Sequence, residues 1–416
     1  MINKNYIATI VGMAIIAAGV LTKPPLTLNY LTYAEGVFTK YVIIAVGLAV
    51  CTVSLYQIIR KKLLIGKETV KRAVILLFMV AVFLIFIEAY LRISAPSDAF
   101  RDDEIYHHSM VPNFTGPLIT GEFNAVIKVN SFGLRSPEIQ AKSEKYRILV
   151  LGDSFTWGFG VDFNQTFVKR LGDALGNKYE VINGGATSYS PTLEYLYMRE
   201  KGMQLKPDMV LLAFDMSDVF DDNVYERYAV FNESDIVKVP AQKAGMISQI
   251  TSSKVFVVVK GLIESLYSRM ENKPVITDSP YLNDPNSDKY AIMRFTNNTY
   301  DVEWNRTFKY IKKLDVLLKE NNMSFAIIVY PYGNQVNGRE WQRGRFTFAF
   351  AEGVTYPDTP ARVLEDFGKR ENITVINAFD AFRNSTMFPL FYSFDGHFTA
   401  SGHNILAEVI YSKLFG

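Results

Sequence analysis

The sequence holds one cysteine, Cys51, so it can form neither an internal disulfide framework nor a cysteine-based metal site. Histidine is nearly as scarce: four residues, at 107, 108, 397 and 403, too few and too scattered to suggest zinc. Net charge is almost absent, +2 over 416 residues. That balance implies no strongly charged partner such as nucleic acid, and no basic stripe with interleaved aromatics follows residue 95. Internal repeats and low-complexity segments are also lacking. What the chain has in quantity is apolar surface, 49% hydrophobic and 14% aromatic residues, enough for a large core or more than one unit.

The apolar residues crowd into the first 95 positions as three runs, at about 6–21, 41–59 and 73–93. Each approaches the roughly 20 residues a helix needs to cross the hydrocarbon core of a bilayer. The first is short enough to be a signal-peptide core, yet no small-x-small cleavage site follows it, and Lys23-Pro24-Pro25 reads as a loop. The link between the second and third runs carries Arg60, Lys61, Lys62, Lys67, Lys71 and Arg72, whereas the link from 22 to 40 has only Lys23 and Lys40. By the positive-inside rule the basic link is cytoplasmic. Three transmembrane helices then place the N-terminus in the cytoplasm and everything after about Ser94 outside the membrane. The competing reading is a buried helical subdomain, which the run lengths and charged flanks disfavour.

Residues 96–146 are polar and turn-rich, with Pro112, Pro117 and the phrase Asn130-Ser-Phe-Gly-Leu-Arg135; they read as a connector packing on the domain that follows, through short strands such as 125–129. From 147 to 416 strands and helices alternate: strands at 147–152, 179–183, 209–214, 324–329 and 373–376, with helices around 166–175, 191–203, 300–321, 360–370 and 401–414. This alternation predicts an α/β domain with a parallel sheet covered on both faces. An insertion at about 223–298 breaks the rhythm and is too long to be an ordinary loop. Within it residues 254–270 show helical apolar spacing, which suits a lid, a helix on the membrane surface, or an insertion packed on the domain's flank.

Two distant stretches carry chemistry. Ile148-Leu-Val-Leu-Gly152-Asp153-Ser154 runs a buried strand into a serine, and Asp395-Gly396-His397 stands about 240 residues later, ahead of the last helix. A serine hydroxyl needs a base, and a histidine held by a carboxylate is the usual one. In an open parallel sheet ligands gather beyond the carboxyl ends of the strands, where Ser154 should stand and where the Asp395–His397 loop could lie. Asp153 reads as a turn residue, His403 as a packing or capping residue of the last helix, and His107 and His108 as loop residues. The group Asp215, Asp218, Asp221 and Asp222 suits a solvated rim or a helix cap better than a metal site, so neither metal nor cofactor is expected.

Gly152-Asp-Ser154-x-x-x-Gly158 with Asp395-Gly-His397-x-x-x-x-Gly402-His403 resembles the SGNH (GDSL-type) hydrolase family over roughly residues 130–416, and the Asn130–Arg135 phrase resembles membrane-attached members. The resemblance implies a three-layer α/β/α flavodoxin-like domain with Ser154 as nucleophile, His397 as base and Asp395 as its partner. It also implies an oxyanion hole drawn from the amide of Ser154, a backbone amide at Gly185 or Ser188, and a side chain in Asp215-Met-Ser217-Asp218. Two positions depart from the family pattern: Ser188 replaces a glycine, and Ser217 replaces an asparagine whose side chain would donate. Loss of one such donor typically costs about a hundred- to a thousand-fold in rate, so Ser217 must substitute, another residue such as Asn223 must reach in, or the enzyme is slower or altered. The implied function is a membrane-anchored, outward-facing serine esterase or O-acyltransferase acting on acetyl or other short acyl groups of cell-envelope glycans, with lipid the next candidate. The alternative is a catalytically retired domain that binds glycan or scaffolds an envelope assembly. Eight Asn-x-Ser/Thr sequons, at 113, 164, 232, 297, 305, 322, 372 and 384, all fall outside the three runs.

Overall fold

The apolar run ahead of Ser154 is an interior strand of a sheet. The structure, a computed structural model, describes residues 99–233, 235–241, 289–294, 301–348 and 350–416, with positions 13, 51–52, 75–76, 78–79 and 81–89 ahead of them. By its contacts the chain forms two compact units, residues 1–97 with 244–271 and residues 98–243 with 272–416.

In the second unit, β1 (Phe100–Asp102) pairs with β2 (His108–Met110), and β3 (Thr115–Ile119) pairs with β4 (Asn124–Lys128), both antiparallel. The alternating part then begins with β5 (Tyr146–Gly152), α1 (Ser154–Trp157), α2 (Phe167–Leu175), β6 (Tyr179–Asn183), α3 (Pro191–Glu200) and β7 (Met209–Phe214). Next come α4 (Asp218–Tyr228) and the hairpin of β8 (Val230–Asn232) and β9 (Asp235–Lys238). The chain closes through α5 (Asp301–Glu320), β10 (Ser324–Val329), α6 (Gly333–Val336), α7 (Gln342–Thr347), α8 (Thr359–Glu371), β11 (Thr374–Asn377), α9 (Phe379–Arg383) and α10 (Ala400–Leu414).

The five-stranded sheet runs β6-β5-β7-β10-β11 with every pairing parallel. Counted along the chain this is the order 2-1-3-4-5, the flavodoxin-like arrangement, whose ligand crevice lies where the order reverses between the first and third strands. Here that point is the gap beyond β5 and β7. All six residues of β7 are buried, so both sheet faces are covered. The helices fall into two packed groups, α2 with α10, and α3 with α4 and α5. Helix α2 shows why such segments are helical: Thr166 caps it by accepting from the Lys169 amide at 3.2 Å, and Phe167, Val168 and Leu171 turn one apolar face inward.

The expected strands and helices stand within a few residues of their sequence positions. The expected insertion boundary at 223 is displaced, because it falls inside α4, whose buried face (Val219, Asp222, Tyr225) belongs to the domain. Residues 254–270 lie outside the described residues, as do most of the three apolar runs. Among the described residues no helix is long and apolar enough to cross a membrane. In the third run, residues 75–76, 78–79 and 81–89 are helical, with Ile75, Leu76, Met79, Phe83, Leu84 and Phe86 exposed.

Candidate active site

The turn after β5 is made by Gly152, whose φ of 153° and crowding demand glycine: a Cβ there would lie 2.2 Å from Thr156 Oγ1 and 2.9 Å from the Ala213 carbonyl. Asp153 then caps α1, accepting from the Phe155 amide at 2.8 Å, which is the turn role its position suggested. Burial, and next the charge of Asp215, push the Asp153 carboxyl well above the usual range. Ser154 is the first residue of α1, so its amide has no intrahelical partner.

The structure brings Ser154 and the late Asp-Gly-His together. Ser154 Oγ lies 2.7 Å from His397 Nε2, and His397 Nδ1 lies 2.5 Å from Asp395 Oδ1. Burial raises the Asp395 carboxyl, but the hydrogen bonds and charge of His397 outweigh it and hold the group below its ordinary value. An ionised carboxylate only accepts, so Nδ1 carries the imidazole proton and Nε2 presents a lone pair to the serine hydroxyl. The imidazole sits between Phe155 and Phe159, each with its ring centroid 4.7 Å away.

Arg135 closes the Asn130–Arg135 phrase and fastens the segment after the nucleophile. Asn130 folds the phrase by accepting from the Phe132 and Leu134 amides at 3.0 and 2.9 Å. The Arg135 guanidinium, fully buried, donates to the carbonyls of Trp157, Gly158 and Val161 at 3.1, 2.5 and 2.6 Å and lies over the Trp157 ring. Burial pulls it down to about 10. The phrase was legible in the sequence, but its mechanical task was not.

The expected oxyanion donors are less available. Gly185 lies against the start of α1, where a Cβ would come 2.4 Å from the Trp157 amide nitrogen. Its own N–H, however, donates to Asn183 Oδ1 at 2.9 Å. Ser188 is exposed and holds φ 56°, a left-handed conformation that suits the glycine of the family pattern. Ser217 is buried at the start of α4, its amide donating to Asp215 Oδ1 at 2.6 Å and its hydroxyl to Asp221 Oδ2 at 3.4 Å. Asn223 Oδ1 accepts from Arg306 at 2.6 Å.

Two expectations about bystanders change. His108 is not a loop residue but part of β2: its Nε2 lies 2.5 Å from the Thr187 carbonyl, and its own carbonyl accepts from Tyr189 at 2.7 Å, so it props the loop after β6. His107, at φ 62°, stands beside it with the two Nδ1 atoms 3.0 Å apart. The acids around α4 are no solvated rim: Asp215, Asp218, Asp221 and Asp222 are buried, together with Glu194, and burial pushes all five carboxyls up. The reason is local bonding. Asp222 accepts from the Ser190 hydroxyl, the Thr192 amide and the Thr307 hydroxyl, while Lys289 pairs with Asp221 at 2.8 Å. Among the described residues no group of His, Cys, Asp or Glu could hold a metal ion. His403 packs, as its place in α10 suggested: its Nδ1 accepts from the Phe167 amide at 3.2 Å, and burial pushes it down to about 3. A cavity of about 580 Å³ lies at the opposite edge of the sheet, at the first residues of the strands (Tyr146, Tyr179, Met209, Ser324, Thr374), away from Ser154.

No family model matches the sequence, and no curated protein matches it. Solved structures give weak likenesses. One is named a lipolytic protein of the G-D-S-L family from Desulfitobacterium hafniense, at 13% identity over 64% of this chain and 99% of that one, TM-score 0.34. Another is a catalytic mutant of Axe2, an acetylxylan esterase from Geobacillus stearothermophilus, at 13% identity over 67% of this chain and 97% of that one, TM-score 0.35. A third is the acetyl xylan esterase AlAXEase, at 13% identity over 65% of this chain and 100% of that one, TM-score 0.35. At these scores the likenesses assign neither fold nor activity; the fold rests on the strand order, and the site on its own distances.

Proposed function

We propose that the chain is a serine esterase or O-acyltransferase of the SGNH type, anchored by three transmembrane helices and working outside the membrane on acetyl or other short acyl esters of cell-envelope glycans. The observation that carries the chemistry is the continuous hydrogen-bond chain Ser154–His397–Asp395. In this reading Ser154 Oγ attacks the ester carbonyl while His397 Nε2 takes its proton, and Asp395 stabilises the imidazolium that forms. The tetrahedral intermediate collapses, the alcohol leaves with the proton from Nε2, and an acyl-serine remains. Water, or a sugar hydroxyl in the transferase case, then attacks that acyl group with His397 again acting as base. The Ser154 amide is the oxyanion donor this geometry supplies most directly; Gly185, Ser188 and Ser217 are candidates that would have to exchange a present bond or turn inward.

The anchor is supported by the length of the three runs, the six cations of the basic link, and the exposed apolar side chains of Ile75, Leu76, Met79, Phe83, Leu84 and Phe86. The sequon asparagines at 113, 164, 232, 305, 322, 372 and 384 are all exposed, as glycan attachment outside the membrane would require. A reporter fused at Gly416 is expected on the outer side of the membrane; a cytoplasmic signal would sink the topology. Glycan specificity follows from the resemblance and the anchor together, with lipid the next substrate class.

A second reading is favoured by one observation: the Gly185 amide and the Ser217 hydroxyl are both engaged with protein groups. A domain with a weakened oxyanion hole would bind glycan or scaffold an envelope assembly with little turnover. Hydrolysis of an activated acetyl ester separates the two. The esterase reading expects Ser154→Ala to abolish it; equal turnover by the variant and the wild type would overturn that reading.

A further inference from the structure

We infer that Glu122, at the tip of the β3–β4 hairpin, is a positioning residue for the acid–base turn. The inference rests on the reading of Asp395 and His397 as an acid–base pair. Both oxygens of the Glu122 carboxylate are engaged, each by one of two successive backbone amides: Phe394 N–H donates to Oε1 at 2.9 Å and Asp395 N–H donates to Oε2 at 2.8 Å. A carboxylate spanning adjacent amides makes two charge-assisted hydrogen bonds and fixes the peptide plane between them. That peptide carries the Cα of Asp395, whose side chain in turn holds His397 Nδ1.

The hairpin tip that delivers Glu122 is itself pinned. The Glu122 and Phe123 amides donate to Thr120 Oγ1 at 3.1 and 3.3 Å, and Thr120 N–H donates to the Phe123 carbonyl at 2.9 Å. Phe123 is buried between Phe159 and Tyr392, at 5.6 and 4.9 Å between ring centroids. Phe159 lies on the His397 ring, and the Tyr392 hydroxyl donates to the Gly160 carbonyl at 2.8 Å. The same tip therefore touches the segment after the nucleophile and the loop of the base. On the other side Trp341 Nε1 donates to the Phe394 carbonyl at 3.2 Å, so this peptide is gripped at both its polar ends. Residues assigned by sequence to a mere connector thus set the distance between Asp395 and His397.

The chain has only four histidines, so His397 can be followed directly. The test is histidine-selective NMR of the full-length protein in detergent, following the His397 Nδ1 proton that faces Asp395, identified by its loss in His397→Gln. A proton held in a short bond to a carboxylate resonates far downfield and exchanges slowly, so loosening the pair moves it upfield and speeds its exchange. Glu122→Ala is expected to move that resonance upfield or lose it to exchange and, in acetyl-ester hydrolysis, to reduce kcat about tenfold to a hundredfold with KM unchanged. Glu122→Gln keeps an acceptor for one of the two amides and is expected to fall between Ala and the wild type. A purely electrostatic effect of the lost charge would change Gln and Ala equally, and that result, or a wild-type Nδ1 proton signal in Glu122→Ala, would overturn the inference. Absence of hydrolysis in the wild type would sink the esterase reading alone, since the Nδ1 proton signal still decides the role of Glu122.

Discussion

Arg135 and Glu122 do at the residue scale what no motif announces: each uses a charge to hold backbone rather than to pair with another charge. The Arg135 guanidinium is buried among three carbonyls, and burial already lowers its affinity for a proton. Each of those carbonyls would lose a charge-assisted bond in a dry environment if the guanidinium were removed. Arg135→Met, which keeps much of the volume, is expected to destabilise the domain by about 2–4 kcal/mol. Denaturant unfolding of the two proteins checks this; an unchanged midpoint would mean that water satisfies the carbonyls. Ser217 shows the opposite case. Its type departs from the family pattern, and its hydroxyl lies on Asp221, so the side chain that the pattern assigns to the oxyanion serves the start of α4 instead.

At the scale of elements, most of the alternating domain was legible because its signals are local. The strands of the sheet are apolar runs bounded by turn residues, helices such as α2 and α5 carry their period in their own sequence, and α2 carries its cap as well. The turn Gly152-Asp153-Ser154 was legible for the same reason. What could not be read were contacts made by short segments across long separations. The connector reads as polar turns, yet its β3–β4 hairpin reaches the acid–base turn, and its His108 reaches the loop after β6. The stretch from α6 to α7 has no strong period; it places Glu340 under the Leu390 and Phe391 amides at 2.9 Å each and Trp341 against Gly396. The boundary of the insertion was misplaced because α4 is rich in acids, and acids in a sequence read as solvated until their partners are known.

At the scale of the whole molecule, that acid-rich helix makes stability depend on pH. Burial raises the Asp222 carboxyl to about 6, against about 3.9 for an unfolded aspartate. A folded value above the unfolded one favours the protonated fold, so this contribution is fully present below about pH 4, is lost as pH rises to about 6, and is constant beyond. Two pH units correspond to about 3 kcal/mol. The thermal midpoint is therefore expected to fall between about pH 4 and 6, and Asp222→Asn should flatten that fall; a midpoint that rises over this interval would contradict the buried, neutral carboxyl. The central claim is also a property of the whole chain, since the fold brings Ser154 to His397 across a separation of 243 positions. The most direct measurement is covalent labelling of the full-length protein by a fluorophosphonate, with the modified residue located by mass spectrometry. An activated serine is expected to give a single adduct on Ser154 that disappears in His397→Ala. Folded wild-type protein that remains unlabelled, or an adduct that forms equally fast without His397, would contradict it.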